Sequence, residues 1–243
     1  MNEGMKRIII LFVSLLSVVN IFAQNTVAYQ SGATGMKNLQ DIANLAPYTG
    51  AVGFDNRYEG VKGTTRLFDT LITSAILVRG QEKYIQLKSD IDVVNNTLVF
   101  MPSATGALRE ITSDTIAELI VYKDGKQLIY RTTRDIGFEK QIEGNKFYQV
   151  LKKGPDQFIK IPEKKFVEAD YKRVYSPDIR YDEFKPVNKY FIEGSDSIFH
   201  RVQLNKKSLV KMFPDKKELI EKGLEGKSEG DAEIAVISIL EQF

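Results

Sequence analysis

The chain has 243 residues, of which 43% are hydrophobic and 27% charged, with a formal net charge of +2 and no cysteine. This composition allows a sizeable hydrophobic core and argues against disorder of the whole chain. The chain lacks the excess of basic residues needed to neutralise phosphates, so nucleic acid is not an expected partner. The absence of cysteine excludes disulfides, thiolate metal ligands, a cysteine nucleophile and the cysteine anchor of bacterial lipoproteins.

The first 23 residues have the organisation of a secretory signal peptide. Lys6 and Arg7 supply the positive region, and the apolar run over residues 8–19 is interrupted only by two serines. Ala23, a small residue before Gln24, predicts the cleavage point. The alternative is a transmembrane anchor, which needs ~20 apolar residues, more than this run provides. We therefore expect the mature protein to be exported to the periplasm, the cell surface or the medium.

Residues 24–51 are expected to form an irregular N-terminal arm, because they are rich in Gly, Asn, Thr and Ala with little periodicity. Within the arm, residues 36–45 have helical spacing before Pro47, so a short helix is the alternative. Residues 50–63 contain four glycines without the order of a phosphate-binding loop. They are expected to lie over the sheet as a loop.

Short extended segments joined by polar turns follow one another from residue 71 to residue 204. The clearest hairpin signal is Asp124-Gly125. Continuous apolar runs such as residues 119–121 predict strands covered on both faces. No segment before Leu204 has room for a crossover helix, so the strands are expected to be antiparallel. The predicted strands are residues 71–78, 83–88, 91–94, 97–101, 116–122, 127–131, 147–151, 157–161, 190–193 and 197–204.

The apolar period changes to 3.6 after Leu204 and predicts short helices over residues 206–213 and 216–222, with a final one after Ser228. Such short helices are unstable alone and should dock on the sheet. The predicted caps are Asn205, the pair Asp215 and Glu218, and the pair Ser228 and Asp231.

The predicted fold is mainly β, with antiparallel meander sheets in a sandwich or open-barrel-like arrangement and a C-terminal tail of two to three helices. The predicted domains are a signal peptide (1–23), the arm (24–51), a β domain (52–204) and a helical tail (205–243) packed on the sheet. Pro162 is expected only at a strand end or an edge.

The candidate binding segment is the predicted loop over residues 171–188. Loops this long inside a compact domain are usually functional or mobile. Tyr and Arg side chains stack and hydrogen-bond at low entropic cost, which suits a contact surface. The competing interpretation is that these rings hold the loop against the sheet. The candidate binding residues are Tyr171, Arg173, Tyr175, Arg180, Tyr181 and Phe184.

The sequence predicts no catalytic residue, no metal site and no cofactor. His200, the single histidine, is near Ser195 and Asp196, but a catalytic triad is assembled across a fold rather than along a turn, so His200 is expected to be a strand residue. Paired carboxylates serve glycoside hydrolysis only at a set separation in space. Three acidic residues are expected to be solvated instead: Asp92, Glu110 and Asp114.

Four segments resemble uncharacterised exported β-rich proteins of Bacteroidetes: residues 22–24, 147–154, 169–172 and 206–213. The resemblance covers most of the mature chain and implies a cell-envelope or secreted location with no known activity. A separate triplet, Asp-Ser/Thr-aliphatic, looks like the acceptor motif of general protein O-glycosylation in that phylum. Its acceptor residues here are Thr70, Thr115 and Ser197.

These observations predict a non-catalytic binding or structural module whose partner is an envelope protein or a glycan. A carboxylate-based hydrolase is one alternative, and it would require a deep cleft with two converging carboxylates. A small outer-membrane β-barrel is another, but its last strand would alternate with a period of two. The last segment of this chain instead repeats at helical spacing, and no transmembrane helix is predicted in the mature chain.

Overall fold

The computed structural model describes residues 49–51, 58–101, 108–169 and 181–243. Within these residues the chain forms one antiparallel sheet followed by helices, which confirms the predicted mainly β fold with a helical tail. The strands are β1 (Thr49–Ala51), β2 (Ile72–Val78), β3 (Ile85–Asp92), β4 (Thr97–Met101), β5 (Arg109–Thr112), β6 (Ile116–Lys123), β7 (Lys126–Thr132), β8 (Phe147–Lys152), β9 (Phe158–Val167), β10 (Glu183–Glu193) and β11 (Phe199–Val202). The helices are α1 (Lys206–Met212), α2 (Lys217–Gly223) and α3 (Glu229–Leu240).

The sheet has the strand order β1-β5-β4-β3-β2-β6-β7-β8-β9-β10-β11. Strands β2 to β5 form one meander, and β6 returns to the other side of β2 and begins the second. Only the three residues Ser113–Thr115 connect β5 to β6. In a flat sheet those strands would be ~19 Å apart, whereas this connection spans ~14 Å at most. The sheet is therefore strongly curved.

The hairpin signals in the sequence are confirmed, but several strand boundaries were wrong. Asp124 and Gly125 have φ values of 51° and 73°, as the tight β6–β7 turn requires. Strand β3 runs unbroken through Ser89 and Asp90, where two separate strands were predicted. Both polar side chains are buried, so the apolar pattern breaks although the strand continues. Strand β5 was not predicted.

The β9–β10 hairpin is longer than predicted, because β10 begins at Glu183 rather than at Tyr190. Residues 183–188 are therefore strand, not loop. Pro162 lies inside β9, where a strand end or an edge was expected. The β8–β9 ladder ends at the pair Gln149–Lys160. Pro162 thus has no β8 partner, and its missing N–H breaks no ladder there.

Both faces of the second meander are covered. Alternate residues of β9 and β10, such as Phe158 and Ile192, pack beneath the helices. The intervening residues, such as Ile159 and Phe191, pack against the segment that joins β7 to β8. This double coverage explains the continuous apolar runs in the sequence.

The helical tail docks on the sheet as expected, although its caps differ in part. Asn205 accepts a hydrogen bond from the Ser208 N–H at 2.8 Å, which confirms the predicted cap of α1. The capping box at Asp215 is wrong, because Pro214–Lys216 forms a 3-10 turn before α2. Ser228 precedes α3, but its hydroxyl donates to Asp231 instead of capping the backbone. Among the described helices, none combines the length and hydrophobicity needed to span a membrane.

Residues 58–70, which we call the strap, cross from β10 to β3 along the curved sheet. Lys62 forms a bridge with Glu183 at one end, and Leu67 donates its N–H to the Ile91 carbonyl at the other. Lys164 of β9 donates from Nζ to the Arg66 carbonyl. The strap therefore connects the two meanders. The end of the predicted arm forms β1 beside β5, and the predicted helix over residues 36–45 lies outside the described residues.

Candidate functional site

A groove of about 1110 Å³ lies between the outer edge of the sheet and the start of α3. One wall is β10 from Pro186 to Tyr190, together with β11 and the chain that follows it. The other wall is the chain from Lys227 to Ile234. We call this the edge groove. It exists because β11 is much shorter than β10 and leaves part of β10 without a neighbouring strand.

A second groove of about 890 Å³ lies around the same sheet edge, against the segment that joins β7 to β8. The two grooves share the residues that surround the end of β11, which are Lys189, Arg201, Val202 and Gln203. The end of β11 therefore forms a boundary between two connected surfaces.

The backbone of β10 is oriented by its regular pairing with β9, which runs without a bulge. The Phe184 N–H points away from β9, because it donates to the Lys62 carbonyl. The Glu193 N–H points toward the β9 side, where it bonds Gln157. Alternate residues face opposite ways along a strand, so the N–H and C=O of Asn188 face outward. The backbone nitrogen of Pro186 faces outward too, so its lack of an N–H removes no hydrogen bond to β9.

The charges around the edge groove divide into paired and unpaired groups. Glu233 of α3 accepts hydrogen bonds from Lys160 at 2.9 Å and from the Tyr190 hydroxyl at 3.0 Å. Lys189 is 2.6 Å from Glu163. Arg201 and Lys227 are exposed, and neither makes an ion pair with another described residue. The groove therefore has an excess of positive charge.

No protein-family model, curated protein or solved structure matches the chain. The interpretation of the edge groove rests on its geometry and charge.

The predicted binding residues fall into three groups. Tyr171, Arg173, Tyr175 and Arg180 lie outside the described residues. Tyr181 lies two residues before β10, and its 66% exposed side chain is accessible to a partner. Phe184 is buried, with its ring 4.9 Å from that of Tyr58 and 5.4 Å from that of Phe166. Phe184 therefore holds the strap and β9 together and adds nothing to an exposed surface.

His200 lies on β11, as expected, between two carboxylates. Its Nε2 is 3.0 Å from Asp196 and its Nδ1 is 3.5 Å from Glu139. The Nε2 hydrogen bond to Asp196 lies within the β10–β11 hairpin, and Nδ1 faces the segment before β8. Among the described residues, no group of three His, Asp or Glu side chains is arranged to hold a metal ion.

The expectation that Asp92 is solvated was wrong. Its side chain is buried and accepts hydrogen bonds from the Thr65 hydroxyl, the N–H groups of Val94 and Asn95, and the Asn95 amide. Asp92 therefore organises the β3–β4 turn and holds the strap. Glu110 is half-buried, and exposed Asp114 accepts a hydrogen bond from the Asn145 amide.

The three predicted glycosylation acceptors all lie just before or between strands. Thr70 and Ser197 are exposed. Thr115 is half-buried, with its hydroxyl 3.4 Å from that of Thr112. Modification at Thr70, Thr115 and Ser197 stays a prediction.

The sequence did not identify the residues of the edge groove. Arg201 was assigned to a strand, and Lys227 lay between two predicted helices without a partner. Asn188 was assigned to the end of a loop. The one available signal was Pro186 between Lys185 and Lys189, because proline and lysine are typical of protected edge strands.

Proposed function

We propose that the protein is an exported, non-catalytic binding module of the cell envelope or the secreted fraction, and that its ligand lies in the edge groove. The observation that carries the proposal is the combination, in one groove, of an outer strand edge at Asn188 and two cations, Arg201 and Lys227, none of which is paired with another described residue. A ligand that is extended and negatively charged complements both features. An envelope protein and a glycan are the two classes of partner.

Within this proposal the sheet is open-barrel-like rather than a sandwich. The short β5–β6 connection and the strap both support a sheet that curves toward closure on one side. The β10–β11 edge stays outside that closure. A binding surface at a free sheet edge is a recurring arrangement for extended ligands.

Glu163, a carboxylate of the second groove, does not suit the general-acid role that the alternative of hydrolysis requires. Glu163 lines the second groove, where Lys146 at 3.0 Å and Lys189 at 2.6 Å hold it. Although burial opposes ionisation, these lysines lower the pKa of Glu163 below its usual value. A carboxylate held as a permanent anion is a poor general acid, which needs a pKa near the working pH.

Export predicts a mature chain that begins at Gln24. We expect the intact mass of the protein purified from the envelope or medium of the producing bacterium to equal that of residues 24–243, plus any glycan at Thr70, Thr115 or Ser197. Expression in a host without that glycosylation gives the unmodified mass for comparison. A full-length mass in the cytoplasmic fraction would contradict export.

Binding at the edge groove is tested with the double variant Arg201→Glu/Lys227→Glu. The mature protein is screened against arrays of soluble glycans and of peptides, and each ligand found is titrated by calorimetry. Reversal of both charges should weaken a groove ligand by about tenfold or more, because it replaces attraction by repulsion. Lys126→Glu, a charge reversal at the exposed first residue of β7, is the matched control and should leave affinity unchanged. If every ligand bound Arg201→Glu/Lys227→Glu as tightly as Lys126→Glu, the edge groove would not be the binding site.

A further inference from the structure

The outer edge of β10 contains a gap in its hydrogen-bonded ladder. At one end, Lys62 of the strap bonds to Asp182 and Phe184. At the other end, β11 pairs with β10 only from Tyr190 onward. Between these ends, no backbone of the described residues pairs with the outer edge of β10. The span from Phe184 to Tyr190 is ~20 Å at ~3.3 Å per residue.

The gap exists because β11 ends early. Tyr190 pairs with Val202, and a longer β11 would bring residue 204 opposite Asn188. The chain instead turns away to begin α1, with the Asn205 N–H donating to the Gln203 carbonyl. Residues 185–188 of β10 are consequently exposed.

The groups exposed in the gap match the backbone of another polypeptide. Asn188 offers an outward N–H and C=O, which together form the paired bonds of an antiparallel or parallel neighbour. Pro186 offers a further carbonyl but no donor. This arrangement admits a short extended segment and resists a long one, because the proline interrupts the ladder.

The charges flanking the gap select the kind of segment. Arg201 and Lys227 line the edge groove without an ion pair among the described residues, and Lys185 is exposed beside the gap. The Lys185 ammonium is 3.6 Å from Glu183. Acidic side chains on the incoming segment would meet the two unpaired cations as they cross the groove.

We propose that the edge groove binds a short, acidic, extended segment of another polypeptide, which continues the line of β11 and adds to the sheet at Asn188. This inference rests on the proposed function and names the partner class. A glycan lacks the regularly spaced donors and acceptors that complement a strand edge, so the gap favours a polypeptide.

The first test is a selection from a library of displayed random seven-residue peptides on the mature protein. We expect the enriched peptides to be rich in Asp and Glu, poor in Pro, and about tenfold weaker on Arg201→Glu/Lys227→Glu than on Lys126→Glu. Enrichment without acidic residues, or no enrichment at all, would overturn the inference.

The second test isolates the backbone contact. Asn188→Pro removes the outward N–H but no bond to β9, whereas Asn188→Ala removes only the side chain. For the best selected peptide, we expect Asn188→Ala to keep the affinity within about twofold. Asn188→Pro should lower the affinity about tenfold, because one hydrogen bond between neutral groups is lost and the peptide carbonyl is left without a donor. Equal affinities for the two variants would overturn strand addition.

N-methylation of the peptide makes the same test from the ligand side, in case Asn188→Pro does not fold. Methyl groups at successive residues should weaken binding with a period of two, because only alternate N–H groups face β10. A scan without this period would also overturn strand addition.

A parallel titration with an oligomer of galacturonic acid separates this inference from the proposed function. This glycan carries carboxylates but no peptide backbone. If it binds in a manner sensitive to Arg201→Glu/Lys227→Glu while the peptides do not, the polypeptide inference fails and the proposed function stands. If neither peptides nor glycans respond to the charge reversal, both fail.

Discussion

Phe158→Ala should destabilise the protein by about 3–5 kcal/mol, the usual cost of removing a buried aromatic ring. Phe158 is fully buried on β9, and its ring stacks on Tyr190 at 5.8 Å. It belongs to the same core cluster as Val236 of α3 and Ile220 of α2. A cavity at Phe158 therefore weakens the contact that positions α3 against the sheet. Because small domains have ~5–15 kcal/mol of net stability, this loss is a large share of the total.

The measurement is urea unfolding followed by far-UV circular dichroism, since the chain contains no tryptophan. Phe243→Ala is the matched control. Phe243 is 36% exposed and contacts Phe213 and Lys216 near the C-terminus, so its removal should cost about 1 kcal/mol. Equal losses for Phe158→Ala and Phe243→Ala would show that the helices are not stabilised through β9.

The elements predictable from the sequence are those in which local signals and burial agree. Three local patterns predicted the element that they form. They are the Asp124-Gly125 turn, the continuous apolar run in β6 and the helical period after Asn205. In these places the residue pattern reflects contacts made within a few positions or with one face of the sheet. Strand order and curvature are different, because they depend on which strands meet across the fold.

The predictions failed where polar residues occupy strands. Ser89 and Asp90 are buried inside β3, and residues 185–188 form an exposed edge of β10, so neither stretch alternates as a half-buried strand does. The edge groove was hidden for a different reason. Arg201 and Lys227 are separated in sequence, and both line the edge groove only because β11 ends early and α3 docks beside it. No local sequence pattern predicts which distant residues will line the same groove.

Asp90 is a buried carboxylate that joins the strap to β3. Its side chain is 1% exposed and accepts hydrogen bonds from the N–H groups of Phe68 at 3.1 Å and Ile91 at 2.7 Å. Burial raises the pKa of Asp90 to about 6, although these bonds and the nearby Arg66 and Lys164 oppose the shift. The folded protein thus holds the Asp90 proton more tightly than the unfolded chain does.

The free energy of unfolding should therefore decrease as the pH rises from the usual pKa of aspartate to about 6. Between those values the folded state binds more protons, so the slope of unfolding free energy against pH is negative. Above pH 6 the ionised carboxylate costs about 3 kcal/mol, at about 1.4 kcal/mol for each pKa unit. Glu118 and Glu163 contribute in the opposite direction, because their pKa values are lowered and their stabilisation is lost in acid.

Asp90→Asn should therefore stabilise the protein by up to about 3 kcal/mol at pH 7.5, by about 1 kcal/mol at pH 4.5, and change little at about pH 3. The asparagine oxygen keeps both backbone hydrogen bonds while the charge is removed. The measurement is the free energy of unfolding in urea at several pH values for wild type and variant, whose difference cancels the contributions of Glu118 and Glu163.

Asp90→Ala separates the charge from the hydrogen bonds. It leaves the N–H groups of Phe68 and Ile91 without an acceptor, and each buried unpaired group costs about 1–3 kcal/mol. We expect this variant to be less stable than Asp90→Asn at every pH, with the same weak pH dependence above pH 4.5. If wild type and Asp90→Asn instead showed parallel pH profiles, the Asp90 carboxylate would be ionised without penalty. The strap would then be held by an anion whose burial is offset by its backbone hydrogen bonds and by the nearby Arg66 and Lys164.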